Sequence, residues 1–196
     1  TIPELVALSK KNKVWVVPTQ SLFERWFSPI PAEKLVNQEE MQYMSPQTRE
    51  NWVNSKNNLT KADNFDEVKW KQFNQLRYQL IKALQEDGQG LLLGSDAPQV
   101  FNVPGFSIHH EIQGMLAAGL RPLEILQTGT INPALFFDGN FGEIEEGMEA
   151  DLILLKENPL DDLRHLKAPL GVMARGQWLD EKTIKEKLSE IAKKYE

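Results

Sequence analysis

The stretch Gly90-Leu91-Leu92-Leu93-Gly94-Ser95-Asp96-Ala97-Pro98 decides how the rest of the chain is read. Three consecutive leucines between glycines show no apolar/polar alternation, so the segment reads as a strand buried on both faces, which is the habit of parallel sheets covered by helices. Its C-terminal end delivers Ser95 and Asp96. In α/β barrels that end of the sheet is where active-site groups gather. Two roles are open to Asp96 on local sequence alone. An ionised carboxylate there can ligate a divalent metal and accept a proton from water, or it can cap the turn that Pro98 begins.

Working upstream, Asp66 to Gln85 repeats apolar residues at helical spacing through Val68, Phe73, Leu76, Leu80 and Leu84, with Gly88 just past its end. Val14-Trp15-Val16-Val17, stopped by Pro18, is a second short buried strand of the parallel kind. Before it, Thr1 is an N-cap and Pro3 sits in the first turn of a helix running to about Asn12. Between Gln20 and Leu59 the sequence is irregular, with Pro29, Pro31 and Pro46. An excursion of that length exceeds an ordinary connection and reads as a functional loop or lid holding short helices. Its aromatics Phe23, Trp26 and Phe27 either wall an apolar substrate pocket or pack the loop down. Trp15, Trp52, Trp70 and Trp178 read as packing residues.

Downstream, helices are expected over Ile108–Ala118, Pro122–Thr128 and about Pro133–Phe137. The order helix, strand, excursion, helix, strand, helices is that of an α/β barrel or a doubly wound sheet. After Gly139 the pattern changes to glycine-punctuated short strands at Gly142–Ile144, Ala150–Leu155 and Gly171–Gly176, followed by an amphipathic helix capped by Asp180 and running to about Tyr195.

Composition narrows the partners. The chain has 196 residues, 41% hydrophobic and 26% charged, enough apolar content for one sizeable domain or part of a larger one. A net charge of -6 with scattered Lys and Arg provides no field for phosphate backbones or anionic membranes, so no nucleic acid and no membrane is expected as partner. No apolar run approaches the roughly 20 residues that span a bilayer, and Thr1-Ile2-Pro3-Glu4 lacks the basic and apolar regions of a signal peptide. With no cysteine, any transition metal would need imidazole or carboxylate ligands. The opening on a helix cap without Met leads us to expect an upstream segment.

Several motifs in series strengthen the catalytic reading of Asp96. Gly94-Ser95-Asp96-Ala97-Pro98, Ser107-Ile108-His109-His110-Glu111-Ile112, Ala118-Gly119-Leu120-Arg121-Pro122-Leu123-Glu124-Ile125-Leu126 and Thr130-Ile131-Asn132-Pro133-Ala134 resemble the end of the amidohydrolase superfamily barrel. Gly142-Glu143-Ile144-Glu145-Glu146-Gly147-Met148-Glu149-Ala150-Asp151-Leu152, Asn158-Pro159-Leu160-Asp161-Asp162 and Val172-Met173-Ala174-Arg175-Gly176 resemble its return to a β-sandwich. The series covers roughly the second half of the chain and is most similar to imidazolonepropionase-like and prolidase-like members, with Lys13 to Gln20 resembling their seventh barrel strand.

The resemblance implies an α/β fold: the C-terminal portion of a (β/α)8 TIM barrel over 1–138 with a long loop at about 20–60, strands of a small composite β-sandwich over 139–179, and a C-terminal helix over 180–196. It implies hydrolysis of an amide-like or cyclic C–N bond, in a dipeptide or imidazolone-type substrate, by a metal-dependent enzyme with Asp96 as metal ligand and base. A deaminase of the same superfamily and a noncatalytic scaffold are the alternatives. The family's other ligands, a His-x-His pair, a bridging carboxylate (usually a carbamylated lysine) and two later histidines, have no counterpart here. The histidines are His109, His110 and His165, none in a His-x-His arrangement. The expectation is therefore a divalent metal, zinc by family habit, in the complete protein, with this chain alone inactive and holding no catalytic metal tightly. Its expected partners are the missing N-terminal half of the barrel and a small-molecule substrate, with homo-oligomerisation open. His109, at the start of the helix after Asp96, is a candidate substrate contact or a solvated capping residue. His165 and Asp151 read as surface and turn-bonding residues of the β-portion.

Overall fold

The computed structural model describes residues 1–88 and 90–195. Local signals set the helix ends. Helix α1 (Ile2–Lys11) starts at Thr1, whose amine donates to Glu4 Oε2 at 2.8 Å, and ends at Asn12. The 20-residue α5 (Glu67–Glu86) is capped by Asp66, whose Oδ1 accepts from the amides of Val68 at 2.9 Å and Lys69 at 3.1 Å. Asp66 thereby satisfies two backbone donors that an open helix start leaves unpaired.

The excursion between them is largely helical: α2 (Gln20–Trp26), α3 (Ala32–Val36), a 3₁₀ turn (Glu39–Tyr43) and the 15-residue α4 (Pro46–Thr60). Ser45 caps α4 by accepting from Thr48 N at 3.1 Å, and Pro46 follows it. Helices α6 (Ser107–Ala117), α7 (Pro122–Thr128) and α8 (Ile131–Phe137) come after the leucine segment.

The two predicted buried strands meet, and they run parallel, but their regular pairing is confined to one bridge between Val16 and Leu91. Val16 N donates to Gly90 O and Leu92 N to Val16 O, both at 2.9 Å. Leu91 is fully buried, whereas Val14 and Val17 are exposed. Beyond this point the leucine segment bonds to helices rather than to a neighbouring strand. Leu93 N donates to Thr128 O at 2.9 Å and Asn132 Nδ2 to Leu91 O at 2.8 Å.

Two apolar cores result. One gathers Val6 of α1, Ile81 and Leu84 of α5, Leu91, Ile112 and Met115 of α6, and Ile125 of α7. The other lies among α3, α4 and the loop after Asp96, with Leu35, Met41, Trp52, Val100, Phe101 and Val103.

The C-terminal part carries a three-stranded antiparallel sheet in the order β1 (Leu152–Leu154), β2 (Gly171–Ala174), β3 (Gln177–Asp180). Ile153 pairs with Val172 and Val172 with Leu179. Arg175 and Gly176, both at positive φ, form the two-residue turn between β2 and β3, the conformation that matches hairpin twist. Asp151 Oδ1 accepts from Arg175 N at 2.7 Å, so it bonds that turn. Gly142–Ile144 is not a strand, because among the described residues none pairs with it; Ile144 stands almost free in solvent, at 88% exposure. Helix α9 (Glu181–Lys193) begins at Asp180, whose Oδ1 accepts from Thr183 N at 2.8 Å. No helix among the described residues is long and apolar enough to cross a membrane.

Candidate active site

Asp96 reaches its position because two glycines let the leucine segment lie against the Val14–Val17 segment. A Cβ on Gly90 would fall 2.0 Å from Trp15 Cε3, and one on Gly94 2.7 Å from Val17 Cγ1. Any larger residue would push the segments apart and open the Val16–Leu91 bridge. The chain then turns at Asp96, which is exposed and adopts the left-handed conformation (φ 56°) that aspartate tolerates better than most residues. A cis peptide joins Ala97 to Pro98, and an antiparallel bridge between Gln99 and Asn102 closes the loop.

A buried polar chain lies beneath this turn. Asn102 Nδ2 donates to Ser95 O at 2.7 Å and to Ser21 Oγ at 3.4 Å. Ser95 Oγ and Ser107 Oγ share a hydrogen bond of 2.7 Å, and Ser21 N donates to Glu111 Oε2 at 2.7 Å. Burial pushes the Glu111 carboxyl above the usual carboxylate range, against the hydrogen bonds it accepts. Next to Ser21, Gln20 Nε2 donates to Asn74 Oδ1 at 2.6 Å, and Arg77 donates to Gln20 Oε1 and Pro18 O, each at 2.7 Å. Gly114 lets α6 approach this place: a Cβ there would stand 2.8 Å from Gln20 Cγ.

A second cluster ties the excursion to α6. Arg25 Nε donates to Phe101 O at 2.7 Å, and its Nη2 reaches Gln38 and, at 3.3 Å, Glu40 Oε1. The same Glu40 oxygen lies 2.7 Å from His110 Nε2. Burial alone would raise the Glu40 carboxyl, but the His110 hydrogen bond, a backbone hydrogen bond and the charges of His110 and Arg25 outweigh it and hold the group down at about 2. Lys56, fully buried, donates to Arg25 O at 2.6 Å, Trp26 O at 3.1 Å and Ser28 O at 2.8 Å, closing the C-terminal end of α2. Burial, then the like charge of Arg25, lowers its ammonium to about 8. Ser21, Arg25, Lys34, Gln38 and His110 help to line a cavity of about 310 Å³ here.

His109 is half-buried beside His110 in the first turn of α6, with its pKa lowered by burial first and then by the positive charges of Lys167 and His110. His165 Nδ1 lies 3.0 Å from Asn158 O in the β-portion. Phe23 stacks on Phe27 and on Trp70, each at 5.8 Å, with the Arg77 guanidinium 4.7 Å from its ring centre. Phe23, Phe27, Phe65, Trp70 and Phe73 wall an open pocket of about 320 Å³. The aromatics of the excursion therefore pack and line a pocket at once.

Sequence reasoning missed Glu40, Asn102 and Glu111. Only Glu111 left a signal: four residues before Met115 and next to Ile112, it is a carboxylate on the apolar stripe of α6, where an unpaired charge would be costly.

An ochratoxinase of Aspergillus niger is 32% identical over 110 residues, covering 53% of this chain and 22% of the relative, so the chain spans about a fifth of the length of that curated relative. Among solved structures, a bottromycin amidohydrolase superposes with a TM-score of 0.75 at 23% identity over 92% of this chain and 40% of its own. A Xaa-Pro dipeptidase with bound methionine gives 0.58 at 23% identity, over 90% of this chain and 37% of its own. These likenesses speak to fold. The amidohydrolase family model matches residues 42–179, from the 3₁₀ turn that carries Glu40 through the Asp96 turn and α6 to β3. A match over well over half of the chain settles its family: the protein belongs to the amidohydrolase family.

Proposed function

We propose that this chain is the C-terminal part of a hydrolase of amide-like C–N bonds, in which Asp96 accepts the proton of the attacking water. The observation that carries the reading is an exposed carboxylate at the end of the bridged leucine segment, held on a fully buried polar floor, in a member of this family. The parallel Val16–Leu91 bridge, flanked by α1 and α5, supports the reading of residues 1–138 as the last strands and helices of a (β/α)8 barrel, with 139–179 as the β-sandwich portion and 180–196 as the closing helix. The named activities of the relatives, among them Xaa-Pro dipeptidase and ochratoxinase, favour a dipeptide or other amide as substrate class.

The family is generally divalent-metal dependent, and zinc is our proposal for the ion. Among the described residues no three His, Cys, Asp or Glu side chains stand together to hold an ion, and Asp96 offers one carboxylate where catalytic zinc takes three protein ligands. The N-terminal half of the barrel is the proposed source of the others. This single ligand also favours a second reading, a noncatalytic scaffold.

The test uses the complete protein and the dipeptide Met-Pro, with an N-acyl amino acid as a second probe, read by release of the free amine. Asp96→Asn keeps the shape but not the basicity, so kcat should fall by about 10²- to 10⁴-fold with KM changed less. His165→Ala is the control and should be nearly silent. Near-normal turnover by Asp96→Asn would return Asp96 to the role of turn residue, and no hydrolysis by the wild type would favour the scaffold.

A further inference from the structure

Asn102 is fully buried, and its amide does an uneven job. Nδ2 donates to Ser95 O at 2.7 Å and to Ser21 Oγ at 3.4 Å, while Oδ1 has no hydrogen-bond partner among the described residues. Close by, Glu111 accepts from Ser21 N through Oε2 at 2.7 Å, and its Oε1 is likewise buried without a partner. A fold that needed only volume here would do better with apolar side chains, since an unsatisfied buried acceptor is costly and replacing polar groups by apolar ones of the same shape is not. What the amide gains is hold on one particular oxygen. Ser95 O belongs to the peptide that enters Asp96, so fixing its direction fixes the plane from which the Asp96 φ of 56° is measured. An aspartate left to itself would favour negative φ and point its carboxylate elsewhere.

We propose that Asn102 is a positioning residue for Asp96, with Glu111 as the anchor that holds Ser21 against it. The floor joins three separate parts of the chain: Ser21 from α2, Asn102 from the loop and Glu111 from α6. The proposal deepens the reading of Asp96 as a proton acceptor and rests on it for its catalytic consequence, but the orientation itself is measurable without catalysis.

The orientation is read by NMR on the complete protein, from the three-bond HN–Hα coupling and the N–H residual dipolar coupling of Asp96, with the core amides of Ile81 and Met115 reporting the intact fold. Asn102→Leu and Asn102→Ala should shift both Asp96 couplings while the core amides stay at their wild-type values. Glu111→Ala should shift them too. Glu111→Gln should restore them, because its amide oxygen still accepts from Ser21 N. In the complete protein, Asn102→Leu should lower kcat on Met-Pro by about 10²-fold, the scale on which misplacing a reacting group acts, with KM within about threefold. Unchanged Asp96 couplings in a folded Asn102→Leu chain overturn the proposal. If the Asn102 variants do not fold, the Glu111 pair decides: Asp96 couplings that differ between Glu111→Ala and Glu111→Gln support it, and identical ones overturn it. Shifted couplings together with an active Asp96→Asn enzyme would leave the positioning intact and remove the catalytic role of Asp96 instead.

Discussion

Replacing Glu40 by Gln removes a charge that the structure holds between two basic groups. The Glu40 side chain is 12% exposed, Arg25 Nη2 lies 3.3 Å from its Oε1, and His110 Nε2 lies 2.7 Å from the same oxygen. Its carboxyl, ordinarily at 4.5, is brought down to about 2. A depressed carboxylate stabilises the fold fully above the unfolded value and loses that contribution as pH falls through the folded one, so the relevant window runs from about pH 4.5 down to about pH 2. At roughly 1.4 kcal/mol per tenfold change in proton affinity, the drop is equivalent to about 3 kcal/mol. Urea unfolding of the wild type and Glu40→Gln should show the variant less stable by about 1–3 kcal/mol at pH 7, with the gap closing towards pH 2 as the wild-type carboxyl takes up its proton. A gap of the same size at pH 7 and pH 2.5 would refute the reasoning, because it would mean that shape rather than charge at residue 40 holds the excursion to α6.

Three further outcomes follow from the packing and the ligand inventory. Gly114→Val places methyl groups where Gln20 Cγ already stands 2.8 Å from a bare Cβ, and should lower stability by about 1–3 kcal/mol in a thermal melt; an unshifted melt would show that α2 and α6 yield easily. Leu5, Leu8, Val68, Phe73, Leu76, Leu135 and Phe137 are exposed, so this chain by itself should self-associate at micromolar concentration, and a monomer throughout in sedimentation would contradict that. Elemental analysis of the purified chain should find no stoichiometric divalent ion, and one bound at Asp96 by this chain alone would overturn the account of shared ligands.

Features set by neighbours in sequence were legible in it. Thr1 and Pro3 announce α1, Asp66 announces α5, Pro122 lies at the start of α7 and Asp180 caps α9, because a cap is chosen by the residues within one turn of it. Helix α4 was hidden because only Trp52 and Lys56 of its 15 residues are buried, which leaves no apolar stripe to count. The β3 strand was hidden for the opposite reason: Trp178 and Leu179 look like the run-in to α9 until β2 is there to pair with them. At the site, Asp96 was legible from the leucines before it. The roles of Glu40 and Asn102 were not, since their partners His110 and Ser21 lie 70 and 81 residues away, and nothing local distinguishes a buried amide from a solvated one. His109 drew attention over His110 in the sequence, yet it is His110 that meets Glu40, because one step along a helix rotates a side chain by more than a quarter turn.

The way the floor of the site is assembled also bears on how the chain folds. Ser21 and Glu111 are 90 residues apart and Arg25 and Phe101 76, so these bonds close long loops and form only after the intervening helices exist. Helix α5, 20 residues long and capped by its own Asp66, can form from local contacts and bring the Val16 and Leu91 segments together. Mutations in α5 should therefore slow refolding, whereas those at Asn102 or Arg25 should chiefly speed unfolding, making the floor of the site the part of the molecule that sets its lifetime once folded.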